Sequence, residues 1–320
     1  MGASTKWRTS IGQAFALAMV LSAGAALAAD PPTTPQAAKF VVSHGAPTPI
    51  GQLARWEDGV CPEVTGVPDD VAGYLTSRIH DVATAVRAPV AKGARCTTNV
   101  EIIFTNTPQT VVDTIAHNQG QLLGFYPIGD AKAAKAITRP IQAWYLTATE
   151  NDRHEYTLDT PSHVGGNVAT AHSSYGRAPG SYLATEASSE AQGGRTQVSG
   201  VTGEGCLGGK FSRCMNSVFV HVLIVIDGKA LYGRKIGPLI DYVTLLALSQ
   251  PATFDGCDEL PSILDLLSKS CAGRAAPEAL SAGDLAYLAA LYKTELDTEL
   301  GFERSDIATL MTRVAPAKAP

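Results

Sequence analysis

Apolar positions in this chain recur with two periods, and the densest apolar stretch runs from Ser217 to Gln250. It reads SVFVHVLIVID, then GKALYGRK, then IGPLIDYVTLLALSQ. Val218, Val220, Val222, Ile224 and Ile226 fall on one face of a strand and Phe219, Leu223 and Val225 on the other, which predicts a central strand covered by protein on both sides. After a tight return, Gly237-Pro238 puts proline where a first helical turn tolerates it. Leu239, Ile240, Val243, Leu246 and Ala247 then repeat at helical spacing.

The remaining elements are arranged around that strand and helix. Val67-Pro68-Asp69-Asp70 opens a helix with an acidic first turn, whose apolar stripe is Val71, Tyr74, Leu75, Ile79, Val82 and Val86, with His80 beside it, until Pro89 ends it. Residues 100–104 (VEIIF) and 141–149 (IQAWYLTAT) read as strands. Between them, Thr107 as cap and Pro108 at the first position open a helix with Val111, Val112 and Ile115 inward. Ser281 starts a helix carrying Leu285, Leu288, Leu291 and Tyr292. Gly301 ends it, and a last helix capped by Ser305 turns Ile307, Leu310 and Met311 inward.

Two stretches lack a core pattern. Residues 29–52, rich in proline, threonine and alanine, predict a loose leader, with folded structure beginning near Leu53. Residues 151–213 are dominated by Gly, Ser, Thr and Ala with recurrent turn signals, and predict a long irregular insertion. The expected fold class is α+β: one domain over residues 53–314, a mixed sheet with flanking helices, a Gly-rich insertion, and a short tail at 315–320.

The N-terminal residues alter the picture of location. Lys6 and Arg8 precede an apolar run from Ala14 to Leu21, and Ala26-Leu27-Ala28 offers small residues for cleavage, so residues 1–28 read as a signal peptide. Its removal takes away two bases and no acid, moving the formal charge from −5 to about −7. No Lys/Arg cluster occurs, which argues against nucleic acid and anionic membrane surfaces as partners. No later stretch approaches the ~20 apolar residues of a membrane span. The expected location is periplasmic or secreted.

Six cysteines, Cys61, Cys96, Cys206, Cys214, Cys257 and Cys271, are an even set in a chain read as exported. Proximity along the chain suggests Cys61–Cys96, Cys206–Cys214 and Cys257–Cys271. No C-x-x-C spacing occurs, so disulfides are expected rather than a zinc site.

Candidate chemistry is sparse. G-x-S-x-G and S-x-x-K do not occur, the stretch from Gly203 to Lys210 misses the spacing of a phosphate loop, and His154-Glu155 lacks the second histidine of H-E-x-x-H because Leu158 stands there. His154, His163 and His172 lie in the Gly-rich insertion, where widely spaced imidazoles read as surface groups or loose metal ligands. His221 interrupts the second face of the central strand and is expected to be a hydrogen-bonded core histidine. Asp241 and Tyr242 sit early on the apolar helix, where an acid suits the helix dipole. His163, His172, His221, Asp241 and Tyr242 are the candidate binding residues, and no cofactor is indicated.

The runs VHVLIVID and IGPLIDYVTLLALSQ, the cysteine-bounded CDELPSILDLLSKSC and the C-terminal LSAGDLAYLAALYKTEL resemble a family of exported bacterial proteins of unassigned activity. In the order strand, central helix, then D-x-A-Y-L-x-A-L-Y helix, the same region is similar to zincin-like peptidases. In zincins the central helix carries the zinc ligands and the general base. The corresponding residues, 236–250, include no His and no Glu, so the resemblance implies a peptidase-like scaffold lacking the metal-binding motif. The expected function is a non-catalytic, degenerate peptidase-like protein that binds a peptide, an envelope component or a partner. The alternatives are a secreted hydrolase, metal-dependent through His163 and His172, and a structural or assembly protein.

Overall fold

In the computed structural model the apolar run Met215–Asp227 forms one strand of thirteen residues, β6, near the middle of a six-stranded mixed sheet. The structure describes residues 32–313 except 94–95, 127–129, 161–195, 198–214, 256, 272 and 297–299. With β1 (Pro62–Thr65), β2 (Val100–Thr105), β3 (Ile141–Asn151), β4 (Glu155–Leu158) and β5 (Thr196–Gln197), the spatial order is β1-β2-β6-β3-β4-β5. β1, β2 and β6 are parallel, and β3 pairs antiparallel with both β6 and β4. The fold is α+β, as the alternation of the two periods predicts.

The helices divide between the two faces. On one lie α1 (Thr34–His44), α2 (Asp69–Val86), α5 (Ile236–Leu248), α6 (Ala282–Leu291) and α7 (Leu300–Arg313), packed into the main core with Val100, Ile102, Val222 and Ile224. On the other, α3 (Pro108–Asn118) and the 3-10 turn at Gly120–Leu123 bury Val112 and Leu123 against Trp144, Leu223 and Val225. The four-residue helix α4 (Ala131–Ala134) precedes β3 and accepts the Trp144 indole N–H at Ala134 O.

Strict alternation along β6 fails at one residue. Leu146 on β3 pairs with His221 but Thr147 pairs with Phe219, so Val220 is extra, a β-bulge. The bulge reverses the parity of everything before it. Phe219 joins Val222, Ile224 and Ile226 in the main core, whereas Val218 and Val220 pack with Ala148 and Tyr156 in a separate cluster. The face assignment read from the sequence is therefore correct after the bulge and inverted before it.

Other expectations change for local reasons. Residues 34–44, read as part of a loose leader, form α1, because Ala37, Phe40 and Val41 make a buried stripe and Thr33 closes a capping box with Gln36. Tyr74 is not in the α2 stripe; it is 58% exposed, and Leu75, Ile79, Val82, Ala83 and Val86 carry the packing. Thr107 precedes α3 without a side-chain cap bond. α6 stops at Leu291, before Gly301, and Gly301 and Ser305 both lie within α7, where Arg55 anchors Glu303. β1 is absent from the sequence reading; its four residues show no alternation and are all half-buried. Gly66 ends it with φ +82°, where a Cβ would stand 2.0 Å from Phe104 O, so only glycine passes there.

α5 is enclosed along Pro238–Leu248. Burying a helix end strands its last carbonyls unless donors reach them. Trp56 Nε1 donates to Ala247 O at 2.8 Å, Tyr145 OH to Leu246 O at 3.1 Å, and Tyr292 OH to Leu248 O at 2.8 Å. Ser249 Oγ donates to Leu245 O at 3.0 Å. Three side chains from three other segments, with Ser249 of the helix's own C-cap, thus seat this helix.

Candidate functional site

The densest polar constellation among the described residues lies where α1, the 3-10 turn Ile263–Leu266 and α6 meet. Helical spacing on α1 stacks Phe40 over His44, with ring centroids 3.6 Å apart and planes at 9°, and Tyr287 of α6 meets the imidazole edge-on at 5.8 Å. Burial pushes His44 down to about 3, so the imidazole is neutral. Its Nδ1 lies 2.9 Å from Phe40 O, an atom that can only accept, which assigns the proton to Nδ1. Nε2 is then an acceptor and faces Ser262 Oγ at 2.8 Å.

Ser262 owes its place to the 3-10 turn that it caps, accepting Leu264 N at 3.1 Å. Its hydroxyl also lies 2.7 Å from Asp284 Oδ1. Asp284 is the third residue of α6 and closes a capping box with Ser281, and its second oxygen accepts Ile263 N at 2.9 Å and Ser281 N at 2.8 Å. Burial raises the Asp284 carboxyl to about 6 against these stabilising bonds. One hydroxyl hydrogen serves either His44 or Asp284, so Ser262 ties the imidazole and the carboxyl together through a single shared hydroxyl. The 3.7 Å approach of His44 Nε2 to Asp284 is not an ion pair, because the ring carries no charge.

Beside these groups Ser43 Oγ bonds Asp258 and lies 2.9 Å from His44 Nδ1. Ser43, His44, Asp258, Ser262 and Asp265 line a cavity of about 10 Å³, room for one water. A serine hydroxyl aimed at a neutral imidazole has the arrangement of a nucleophile and its base. Ser262 and His44, however, are only 2% and 3% exposed. The geometry ties three elements together and admits at most a water.

The sequence-predicted residues do not converge here. His163 and His172 lie outside the described residues, as does the Cys206–Cys214 pairing. His154 stands in the turn between β3 and β4 with φ +60° and Nδ1 2.9 Å from Glu150 Oε1. Tyr242 is a core residue, 1% exposed, with its phenol pushed up by burial. Asp241 is explained by a partner and not by the helix dipole: it lies beyond the first turn of α5, accepts from Arg78 Nε at 2.6 Å and Nη2 at 3.1 Å, and accepts Leu280 N at 2.8 Å. His221 is buried as expected but has no hydrogen bond among the described residues; its Nδ1 is enclosed and unpartnered there, and its Nε2 lies 4.0 Å from Glu101 Oε2.

Two of the proposed cysteine pairs are disulfides, Cys61–Cys96 and Cys257–Cys271. The second closes the loop that carries Asp258, Ser262 and Asp265. Asp265 lies beside both of its sulfurs, but joined sulfurs are not thiolate ligands, so this group is not an open metal site. His44, Ser262 and Asp284 are far apart in the chain and match no short motif. The capping signature Ser281…Asp284 is the one signal that could have singled out an acid of this set.

No protein-family model, curated protein or solved structure matches the chain. Among the described residues no helix is long and apolar enough to cross a membrane.

Proposed function

We propose that this chain is an exported, non-catalytic protein on a degenerate peptidase-like scaffold, and that it acts by binding a peptide segment of an envelope partner. The observation that carries the reading is the enclosure of Ser262 and His44. The pair has the orientation of a hydrolytic dyad but faces a cavity of one-water size, and every one of its hydrogen bonds holds α1, the 3-10 turn and α6 in place. The helix equivalent to that of zincins is likewise covered along its length and carries no His or Glu. The signal-like N-terminus and the two disulfides support export, because such bridges persist in oxidising compartments.

Binding is supported at the carboxyl edge of the parallel strands, where β1 and β2 send α2 and α3 to opposite faces and open sheets hold ligands. Tyr232 is 93% exposed in the loop after β6, and Ile236 and Tyr74 stand half-exposed at the starts of α5 and α2.

Two measurements test the reading. The oxidised protein is assayed on peptide and ester substrates and with a fluorophosphonate probe, beside Ser262→Ala. Equal, background turnover and labelling are expected; turnover abolished by Ser262→Ala would establish a hydrolase instead. In the producing cell, a photocrosslinking side chain at Tyr232 should give a discrete adduct that the same group at Asp152, on the opposite edge of the sheet, does not. No position-specific adduct would remove the binding site.

A further inference from the structure

The Cys257–Cys271 bridge has a buried acid against one of its sulfurs. Asp265 is 7% exposed, and its Oδ1 lies 3.2 Å from Cys271 Sγ, with Cys257 Sγ inside the same 4.8 Å group. The other carboxylate oxygen is occupied: Oδ2 accepts Ser262 N at 3.2 Å and has Arg274 Nη1 at 3.7 Å. Among the described residues no further donor reaches Oδ1. A bridged sulfur carries no hydrogen, so this buried acceptor is served by the sulfur only when the bridge is reduced and Cys271 becomes a thiol. The two cysteines also differ in access, since Cys257 is exposed and Cys271 is buried. The other described bridge, Cys61–Cys96, likewise joins a buried to an exposed cysteine, but among the described residues no acid stands within the same distance of both its sulfurs.

That arrangement suits thiol–disulfide exchange. A thiolate attacks the sulfur that it can reach and expels the other, and an anion expelled beside a carboxylate is disfavoured unless it is protonated as it leaves. Attack on exposed Cys257 expels Cys271, the sulfur that Asp265 faces. Burial pushes the Asp265 carboxyl up, which favours its protonated form, while the Ser262 N–H and Arg274 oppose the shift. The charged groups about Asp265 are Arg274 and Asp258; from α1 the cavity brings His44, which is neutral, and from α6 Asp284 bonds Ser262.

We propose that Cys257–Cys271 is a redox-active disulfide that exchanges with the dithiol of a partner protein, with Asp265 as the acid that protonates Cys271. A thiolate of the dithiol bonds to Cys257 Sγ as the Cys257–Cys271 bond breaks; the electron pair stays on Cys271 Sγ, which takes the Asp265 proton. The second thiol, after losing its proton to water, attacks the dithiol's own sulfur in the mixed disulfide and releases Cys257 as a thiolate, which water protonates. Asp265 recovers a proton from water, for which the adjoining cavity has room. Two electrons and two protons pass from the dithiol to the bridge, and the dithiol leaves as a disulfide. In reverse, the Asp265 carboxylate takes the Cys271 proton as that thiol closes onto a mixed disulfide at Cys257. The exchange uses neither Ser262 nor the edge that carries Tyr232 as a reactant, and it does not depend on the function proposed above.

The test uses full-length mature protein, oxidised, with dithiothreitol as the dithiol, acid quenching and alkylation to trap thiols, and peptide mass to read each bridge. Cys257–Cys271 should open about tenfold faster than Cys61–Cys96, and Asp265→Asn should slow that opening by about tenfold. The rate per dithiothreitol thiolate should fall in wild type as pH rises and Asp265 loses its proton, and should be flat in Asp265→Asn. A purely capping role for Asp265 predicts the opposite change, because a loosened turn exposes the bridge and speeds its reduction. With glutathione on the wild type, the trapped mixed disulfide should sit on Cys257. Opening of Cys257–Cys271 no faster than that of Cys61–Cys96, a rate unchanged or raised in Asp265→Asn, or a glutathione adduct on Cys271 would overturn the proposal.

Discussion

Arg78 of α2 and Asp241 of α5 form a bidentate ion pair 163 residues apart in sequence, with side chains 11% and 7% exposed. The pair fixes the crossing of two helices that share one face of the sheet. Because Asp241 also accepts Leu280 N, it anchors the chain just ahead of α6 as well.

Loss of one partner should be costly and loss of both much less so. Arg78→Leu leaves a nearly buried carboxylate uncompensated, a destabilisation of about 3–5 kcal/mol, whereas a well-packed apolar pair in the same space is often close to neutral. Urea unfolding of Arg78→Leu, Asp241→Leu and the double variant checks this. A double variant as unstable as the sum of the singles would show that the two side chains do not act as a pair.

The C-terminal end of α5 offers a second measurement. Tyr145→Phe keeps the ring against Phe219 but removes the hydroxyl that serves Leu246 O. A buried carbonyl left without a donor costs about 1–3 kcal/mol. The urea midpoint should fall with an unchanged slope.

His221 gives stability a signed pH dependence. Its folded-state value of about 4 lies below the 6.5 of an unfolded histidine. As pH falls through 6.5 the unfolded chain takes up a proton that the native one does not, so wild type loses stability until pH reaches about 4. His221→Leu is free of this loss. Between pH 7 and pH 4 its advantage over wild type should grow by about 3 kcal/mol, at about 1.36 kcal/mol per unit. A pH-independent difference would mean that His221 protonates in the native state as readily as in water.

The two described disulfides should differ in worth. Cys61–Cys96 spans 35 residues and Cys257–Cys271 spans 14. Loop-closure entropy assigns about 4 kcal/mol to the longer bridge and about 3 kcal/mol to the shorter. Replacing each pair by serines and comparing denaturation midpoints tests the order. Loss of Cys257–Cys271 should also speed proteolysis within residues 257–271, since it releases the loop over the His44 cavity.

Much of the architecture is legible in the chain because periodicity is a local property. The runs of α2, β2, α3, β3, β6, α5 and α6 announce themselves through apolar spacing and first-turn prolines, acids or capping boxes. α1 was hidden by composition: prolines and threonines around it look like a leader, and its stripe of Ala37, Phe40 and Val41 gains meaning only from the α6 and α7 surfaces that cover it. Gly301 looks like a helix end, yet α6 already stops at Leu291 and Gly301 is the second residue of α7, whose place is set by the packing of Ile307 and Met311 and by the Glu303–Arg55 pair.

The candidate sites were less legible, for the same reason. His221 was visible as a polar break in an apolar strand, but its charged neighbour Glu101 belongs to β2, and only the strand register places it there. Ser262, His44 and Asp284 carry no spacing signal because they come from three separate segments.

By itself the sequence determined the fold class, the central strand and helix, and two cysteine pairings, because each follows from the pattern of near neighbours along the chain. Tertiary structure alone decided the partner of Asp241, the enclosure of Ser262, the parity reversal at Val220 and the isolation of His221. Those depend on which surfaces meet once residues tens to hundreds apart are brought within a few ångströms, and no local pattern encodes that meeting.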